Sequence, residues 1–334
     1  MPWGKHIVSS VSAIRASVLI PIIAHMEKTG LQTDALLARH GIMRSQIANP
    51  YAMVPLTAYV SFFEEASRMS NSTNLGALLG TTVTPGDLGP TGVLFNISPT
   101  ILDAMRRVTR YISAIQGATS NGLWQEGDDY VWSYQISSSK LWPRRQDSEF
   151  TLSVCCQLIR LGFSRTWRPQ EVHFEHPAPR DTTILEKIFR APLKFAQPSN
   201  RLIMAGPEAE RSYRSEDPAL VAVLEHHIAE LAEKTNATES MRERVSTLIS
   251  IHLGYRKITI AGMAADLGMA PRTLQRRLQE ENTSLRDMVE RHRRELAQKQ
   301  LTGNVDKGRI SESLGYADST VFWRARQRWG RHDG

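Results

Sequence analysis

The stretch Thr259–Leu278, TIAGMAADLGMAPRTLQRRL, constrains this chain more than any other. Ile260, Met263, Ala264 and Leu267 repeat at helical spacing, Thr259 stands ready to cap them, and Gly268 breaks the period. Pro271 then opens a second helix in which Leu274 and Leu278 point inward at i and i+4. That leaves Arg272, Thr273, Gln275, Arg276 and Gln279 facing outward. Arginine can take guanine O6 and N7 together, and glutamine can do the same with adenine N6 and N7. Arg277 lies to the side, suited to phosphate. A short apolar helix supporting a basic, glutamine-bearing one is the pattern of a helix-turn-helix reader in a major groove.

The same unit recurs downstream. Ile310 and Leu314 form a supporting stripe, Gly315 a turn, and STVFWRARQRWG a second reading helix. Phe322 takes the inward place of Leu274, while Ser319, Thr320, Trp323 and Arg324 take the outward ones. Between the units, Ser284–Thr302 reads as one long helix with Leu285, Met288, Val289, Leu296 and Leu301 on its packed side. Such a strut runs about 28 Å at 1.5 Å per residue, against about 34 Å for a DNA turn, so it can hold two readers in successive grooves. Two units in register are far more specific than one.

Charge agrees with this placement. The chain carries +7 overall, yet from Met241 onward 18 Lys and Arg face 11 Asp and Glu, and the remaining 240 residues hold 23 of each. A neutral body with a basic tail fits a sensor joined to a polyanion binder. The only cysteines, Cys155 and Cys156, are adjacent in an apolar helix pattern, so buried thiols in a reducing compartment are expected. The apolar run Ser17–Ile23 is too short to span a bilayer and lacks a cleavage pattern. A cytoplasmic protein without membrane contact is the expectation.

The first part reads as α+β. Residues 15–80 repeat apolar positions at three and four residues, with Asp34 placed to cap one helix and Pro55 or Thr57 to start another. The glycine-rich passage GTTVTPGDLGPTGVLFNISPT suits a loop and a short strand. ILDAMRRVTRYISAI is a helix, and GLWQEGDDYVWSYQISS is a hairpin turning at Glu126–Asp129. EVHFEHPAP and LKFAQPSNRLIM are strand-like, so helices and a small mixed sheet are expected. The all-α part with its two helix-turn-helix units and long joining helix follows. The division is 1–215 for effector sensing and dimerisation, 216–240 for a helix and linker, and 241–334 for DNA.

Residues 259–330 resemble the DNA-binding domain of AraC/XylS-type transcriptional regulators, on AADLGMAPRTLQRRLQEENTSLRDMVERHRRELAQKQL and LGYADSTVFWRARQRWG. Residues of roughly 15–215 resemble the arabinose-binding-like effector or dimerisation domain of one branch of that family, on LGALLG, GPTGVLFNISPTILDAMRRVTRYI, EVHFEHPAP and PLKFAQPSNRLIM. The resemblance implies a bacterial regulator, by family habit an activator, that binds promoter DNA, acts as a homodimer and answers to a small-molecule effector. RNA polymerase is the further partner it implies. Three departures stand out: Ala270 replaces the usual serine cap, Gly308 sits inside the second supporting helix, and Arg326 replaces a core phenylalanine. The sequence ends RHDG without the family's proline-containing tail. The second reader is therefore expected to be the less stable, and a ligand-binding or protein-interaction module with an impaired DNA-binding domain is the alternative.

For the effector, Arg106 and Arg110 stand one helical turn apart, able to clamp a phosphate, and resemble the RxxxR motif of cyclic-dinucleotide receptors. Trp124, Trp132 and Trp142 offer stacking surfaces, and Arg145 beside Trp142 is a further anion candidate. A solvated basic helix face and core tryptophans are the competing readings. His173 and His176 lack a third metal ligand, so no metal or cofactor is expected. No nucleophile, phosphate loop or carboxylate pair points to an enzyme.

Overall fold

The computed structural model describes residues 13–49, 51–137, 141–233, 240–301, 310–311, 314–316 and 318–329. Buried apolar side chains gather in two main cores, one running from Ile14 to Ala209 and the other from Met241 to Phe322. The first is α+β and the second is all helix.

The first part opens with β1 (Ala13–Arg15) antiparallel to β2 (Met53–Pro55), with Ile14 opposite Val54. Between them lie α1 (Ile20–Lys28), α2 (Thr33–Arg39) and α3 (Arg44–Ile47). The spacing predicts Asp34 as the cap of α2, but it is not. The cap position falls on Gln32, and the Asp34 carboxylate instead accepts from Arg44 Nε at 2.7 Å. Next come α4 (Leu56–Met69) and α5 (Leu75–Gly80), the LGALLG segment. A Cβ on Gly76 would lie 2.1 Å from the Gln146 carbonyl oxygen, so this glycine lets α5 sit directly on the helix that begins at Arg145.

The glycine-rich passage is helical where a loop and strand are expected. It forms a short turn and then α6 (Gly89–Asn96), followed by α7 (Ile101–Tyr111). Pro85 and Pro90 occupy first-turn positions, where a missing N–H costs nothing. Gly92 marks close packing rather than a bend: its Cβ would meet the Pro85 carbonyl at 2.0 Å. Thr100 caps α7, its hydroxyl accepting from Asp103 N at 2.9 Å.

The hairpin forms as its sequence indicates. β3 (Thr119–Glu126) and β4 (Asp129–Ile136) pair along their length around Gly127, whose φ of +62° suits glycine. With β5 (Glu171–His173), β6 (Leu193–Lys194) and β7 (Asn200–Ala205) they build a sheet in the order β3-β4-β7-β5-β6. Only the β5–β6 pair is parallel, so the sheet is mixed. Of the strand-like segment LKFAQPSNRLIM, only its two ends pair; Pro198 lies in the unpaired middle.

Strand alternation gives this sheet two unlike faces. Trp132, Tyr134, Leu202 and Met204 fall on the face that packs into the first core. Against it lies α8 (Arg145–Gly162), which buries Cys155 and Cys156 as free thiols. Burial pushes both thiols up, Cys156 to about 12, so neither is reactive. Around the sheet lie α9 (Thr183–Phe189) and α10 (Gly206–Ala209). Then α11 (Pro218–Glu233) seats Val221, Ile228 and Ala232 on Leu94 and Ala114.

The opposite face of the sheet carries Trp124, Arg201 and His173, and here the second core docks through α12 (Met241–His252). The Trp124 ring lies 5.3 Å from His252, and His173 stacks on Tyr255 at 5.9 Å. Arg201 is wedged against both Trp124 and Tyr255; burial lowers its pKa to about 10 and raises the Tyr255 hydroxyl to about 12. Among the described residues no helix is long and apolar enough to cross a membrane.

Candidate nucleic-acid interface

The helical part is built from α13 (Ile260–Asp266), α14 (Pro271–Glu280), α15 (Leu285–Leu301) and α16 (Ser319–Trp329). Thr259 caps α13, its hydroxyl accepting from Gly262 N at 3.1 Å. Gly268 at φ +65° turns the chain, and α14 begins with Ala270 at the cap position, where no side chain can accept. Losing a serine cap costs about 1 kcal/mol, here offset in part by Pro271 at the first helical position. Leu274 and Leu278 are fully buried with Met263 and Ala264, so the rest of α14 is turned outward. Arg272, Gln275, Arg276 and Gln279 are exposed together and Thr273 is half-buried. Arg276 reaches Glu280 at 3.4 Å, a surface pair that DNA phosphate or a base can displace.

Two acidic residues escape a reading by periodicity. Glu281 bends back so that its carboxylate accepts from Met241 N at 2.8 Å and Arg242 N at 2.7 Å, capping α12 from a distant segment. Asp318 caps α16, accepting from Val321 N at 2.9 Å. The strut α15 starts at Ser284, whose hydroxyl accepts from Asp287 N at 3.2 Å. Its 17 residues span about 26 Å.

The strut also holds the second unit. Arg293 donates to the Leu314 carbonyl at 3.0 Å and to that of Gly315 at 3.2 Å, and it lies over the Tyr316 ring. Glu290 pairs with Arg293 at 3.2 Å and accepts from Trp329 Nε1 at the same distance. One ion pair thus ties both the turn and the far end of α16 to α15. In α16, Phe322 and Ala325 are buried while Ser319, Thr320 and Arg324 are exposed. Trp323 is not fully outward: it is half-buried against the second core, with Arg326 stacked on its ring at 4.6 Å. Arg326 therefore sits at the surface and Ala325 fills the adjacent buried place. Gly308 and most of the second supporting helix lie outside the described residues.

The six effector candidates do not converge. Arg106 pairs with Asp103 at 2.9 Å and Arg110 approaches Glu225 at 3.7 Å, both on the solvent side of α7. Trp124 belongs to the seat of the second core, and Trp132 is buried on the other face of the sheet. Trp142 lies beside Arg144 at 5.9 Å, and Arg145 is bound to Glu149 at 2.6 Å. Tryptophan and arginine spacing along the chain carries no information about which sheet face or helix side each one reaches.

An α+β body seated on a basic helical part, with one amphipathic helix presenting arginine and glutamine together, defines a chain of the transcription-regulator class. Residues 30–211 match the model of the arabinose-binding domain of AraC transcription regulators, N-terminal. The chain belongs to that family. It is 23% identical over 321 residues to the HTH-type transcriptional regulator VirS of Mycobacterium tuberculosis, covering 95% of this chain and 94% of VirS. It is 31% identical over 156 residues to the HTH-type transcriptional regulator VqsM of Pseudomonas aeruginosa, covering 45% of this chain and 46% of VqsM. A crystal structure of the transcriptional regulator CdpR from Pseudomonas aeruginosa aligns with 94% of this chain and 95% of its own, at 18% identity and a TM-score of 0.45, too loose a superposition to add to the family assignment.

Proposed function

We propose that this chain is a sequence-specific DNA-binding transcription activator of the cytoplasm, controlled by a small molecule bound in its first part. The observation that carries the reading is α14, where Leu274 and Leu278 are fixed in the core and Arg272, Gln275 and Arg276 share the exposed face. Thr273 and Gln279 flank them, and Ser319, Thr320, Trp323 and Arg324 touch the next groove. Residues 1–215 sense the effector and dimerise, 216–240 connect, and 241–334 bind promoter DNA. A homodimer on repeated half-sites, in contact with RNA polymerase, completes the assembly.

The test is a salt-controlled titration against duplexes selected from a random pool. Arg276→Ala is expected to weaken the selected site by about 1–3 kcal/mol while relaxing preference at one position. Unchanged affinity and preference would remove Arg276 from the reading face. Affinity of the unmodified chain should fall steeply as salt rises. A flat, negligible response would favour a ligand-binding or protein-interaction module instead.

A further inference from the structure

The first core holds a cavity of about 80 Å³ between α6, α7, α8 and the inner face of the sheet. Phe95, Val108, Ile112, Phe150, Val154 and Leu158 lie in its apolar wall, and among the described residues no Lys, Arg, His, Asp or Glu lines it. Its polar groups come from Tyr59, Thr91, Gln116, Trp132, Tyr134 and Thr151. Gln116 donates to the Tyr134 hydroxyl at 2.7 Å, which donates in turn to Asp147 at 2.7 Å, so those groups are already engaged. The Tyr59 hydroxyl makes no hydrogen bond within normal distance among the described residues, but burial and the nearby Asp147 raise its pKa. Trp132 is different: it is fully buried, it lines the cavity, and its Nε1–H has no acceptor among the described residues. Indole is a donor only, so this group can be satisfied by an acceptor and by nothing else. Buried donors almost always find a partner, and an apolar space of this kind stays dry and accepts apolar guests.

We infer that this cavity is the effector site and takes an uncharged, mainly apolar molecule bearing one hydrogen-bond acceptor, such as a ketone, ester or lactone carbonyl, set against Trp132 Nε1. An anion is disfavoured because among the described residues no cation lines the wall, and the Asp147 carboxyl stands behind Tyr134. A sugar would bury hydroxyls against Phe95, Val154 and Leu158 without partners, and a cyclic dinucleotide would bring two phosphates. Of the six residues that the sequence offers for an effector, Trp132 alone reaches this space. Its position also gives the ligand a route to the helical part. In β4, Trp132 faces the cavity while its neighbour Ser133, paired with Arg201, faces the seat of α12. A guest that moves Trp132 moves β4, whose paired strand β7 carries the Arg201 on which Tyr255 rests.

The inference rests on the regulator reading and is tested separately from it, on the full chain. Thermal unfolding and tryptophan fluorescence are followed with 2-butanone, cyclopentanone, butanoate, arabinose and a cyclic dinucleotide at about pH 8. One or both ketones should raise the melting temperature saturably by a few degrees and perturb the fluorescence, while the charged and polyhydroxylated probes leave both unchanged. Leu158→Trp should fill the space and abolish the response. Trp132→Phe, which keeps a ring and removes the donor, should weaken ketone binding about tenfold. Absence of a saturable shift with either ketone, an equal shift in the filled variant, or a stronger response to butanoate or arabinose would overturn the proposal. Selected-DNA binding measured on the same preparation separates the two readings. DNA binding without a ketone response sinks the cavity proposal alone, and a ketone response without salt-sensitive DNA binding sinks the regulator reading alone.

Discussion

Glu175→Ala is expected to destabilise the first part by about 3–5 kcal/mol, the usual cost of removing one member of a buried ion pair. Arg144 and Glu175 are 1% and 2% exposed and meet in a bidentate fork, Nε to Oε1 at 2.7 Å and Nη2 to Oε2 at 2.6 Å. The same carboxylate accepts from Gln135 at 2.9 Å, Asn200 at 3.2 Å and Ser148 at 3.3 Å. These donors come from β4, β7 and α8, so one carboxylate joins the sheet to the central helix. Alanine would strand the guanidinium charge in the core and remove the shared acceptor of the neutral donors. Urea unfolding measures the loss. Arg144→Met with Glu175→Leu should cost much less than the single alanine change, because the greater part of the penalty is an uncompensated charge rather than the lost attraction. A double variant as unstable as Glu175→Ala would mean that the network, not the stranded charge, dominates.

What was legible in the sequence was whatever is encoded locally. The 3.6-residue stripe of Ile260, Met263 and Ala264, the turn at Gly268 and the hairpin at Gly127 each announce themselves within one or two turns of chain. The passage around Gly92 was not legible, because glycine and proline signal a loop equally well as a close-packed helix start. Only the Pro85 carbonyl, brought there by the fold, decides between them. Caps supplied from afar, such as Glu281 on α12, lie outside any sequence window. The cavity was hidden for the same reason. Tyr59, Phe95, Trp132 and Leu158 come from four separate elements, and an apolar residue that lines a space is indistinguishable in sequence from one that fills it. Arginine spacing on α7 is visible in sequence, yet Arg106 pairs with Asp103 and Arg110 approaches Glu225 at the surface.

Asp147→Asn is expected to change the pH dependence of stability more than any other single substitution in the first core. Burial raises the Asp147 carboxyl to about 7, against the opposing pull of the Tyr134 hydrogen bond and the nearby Arg144. The unfolded carboxyl titrates near 3.8, so between about pH 4 and 7 the folded chain holds a proton that the unfolded chain has released. Stability from this group is therefore greatest at the acid end, falls as pH rises through that window, and levels off above about 7. A shift of this size amounts to at most about 4 kcal/mol. Asparagine cannot ionise, and its amide oxygen can still accept from Tyr134, so the variant lacks this decline. The stability of Asp147→Asn relative to the unmodified chain should rise by about 2–4 kcal/mol between about pH 4.5 and pH 8. Glu149, also raised to about 7, and His176, lowered to about 4, titrate in overlapping ranges with opposite effects on the whole chain. Taking the difference between the two proteins at each pH cancels those contributions and leaves Asp147. A difference that stays constant with pH would show the carboxyl to be ionised in the folded core throughout, held by Tyr134 and Arg144 against its burial.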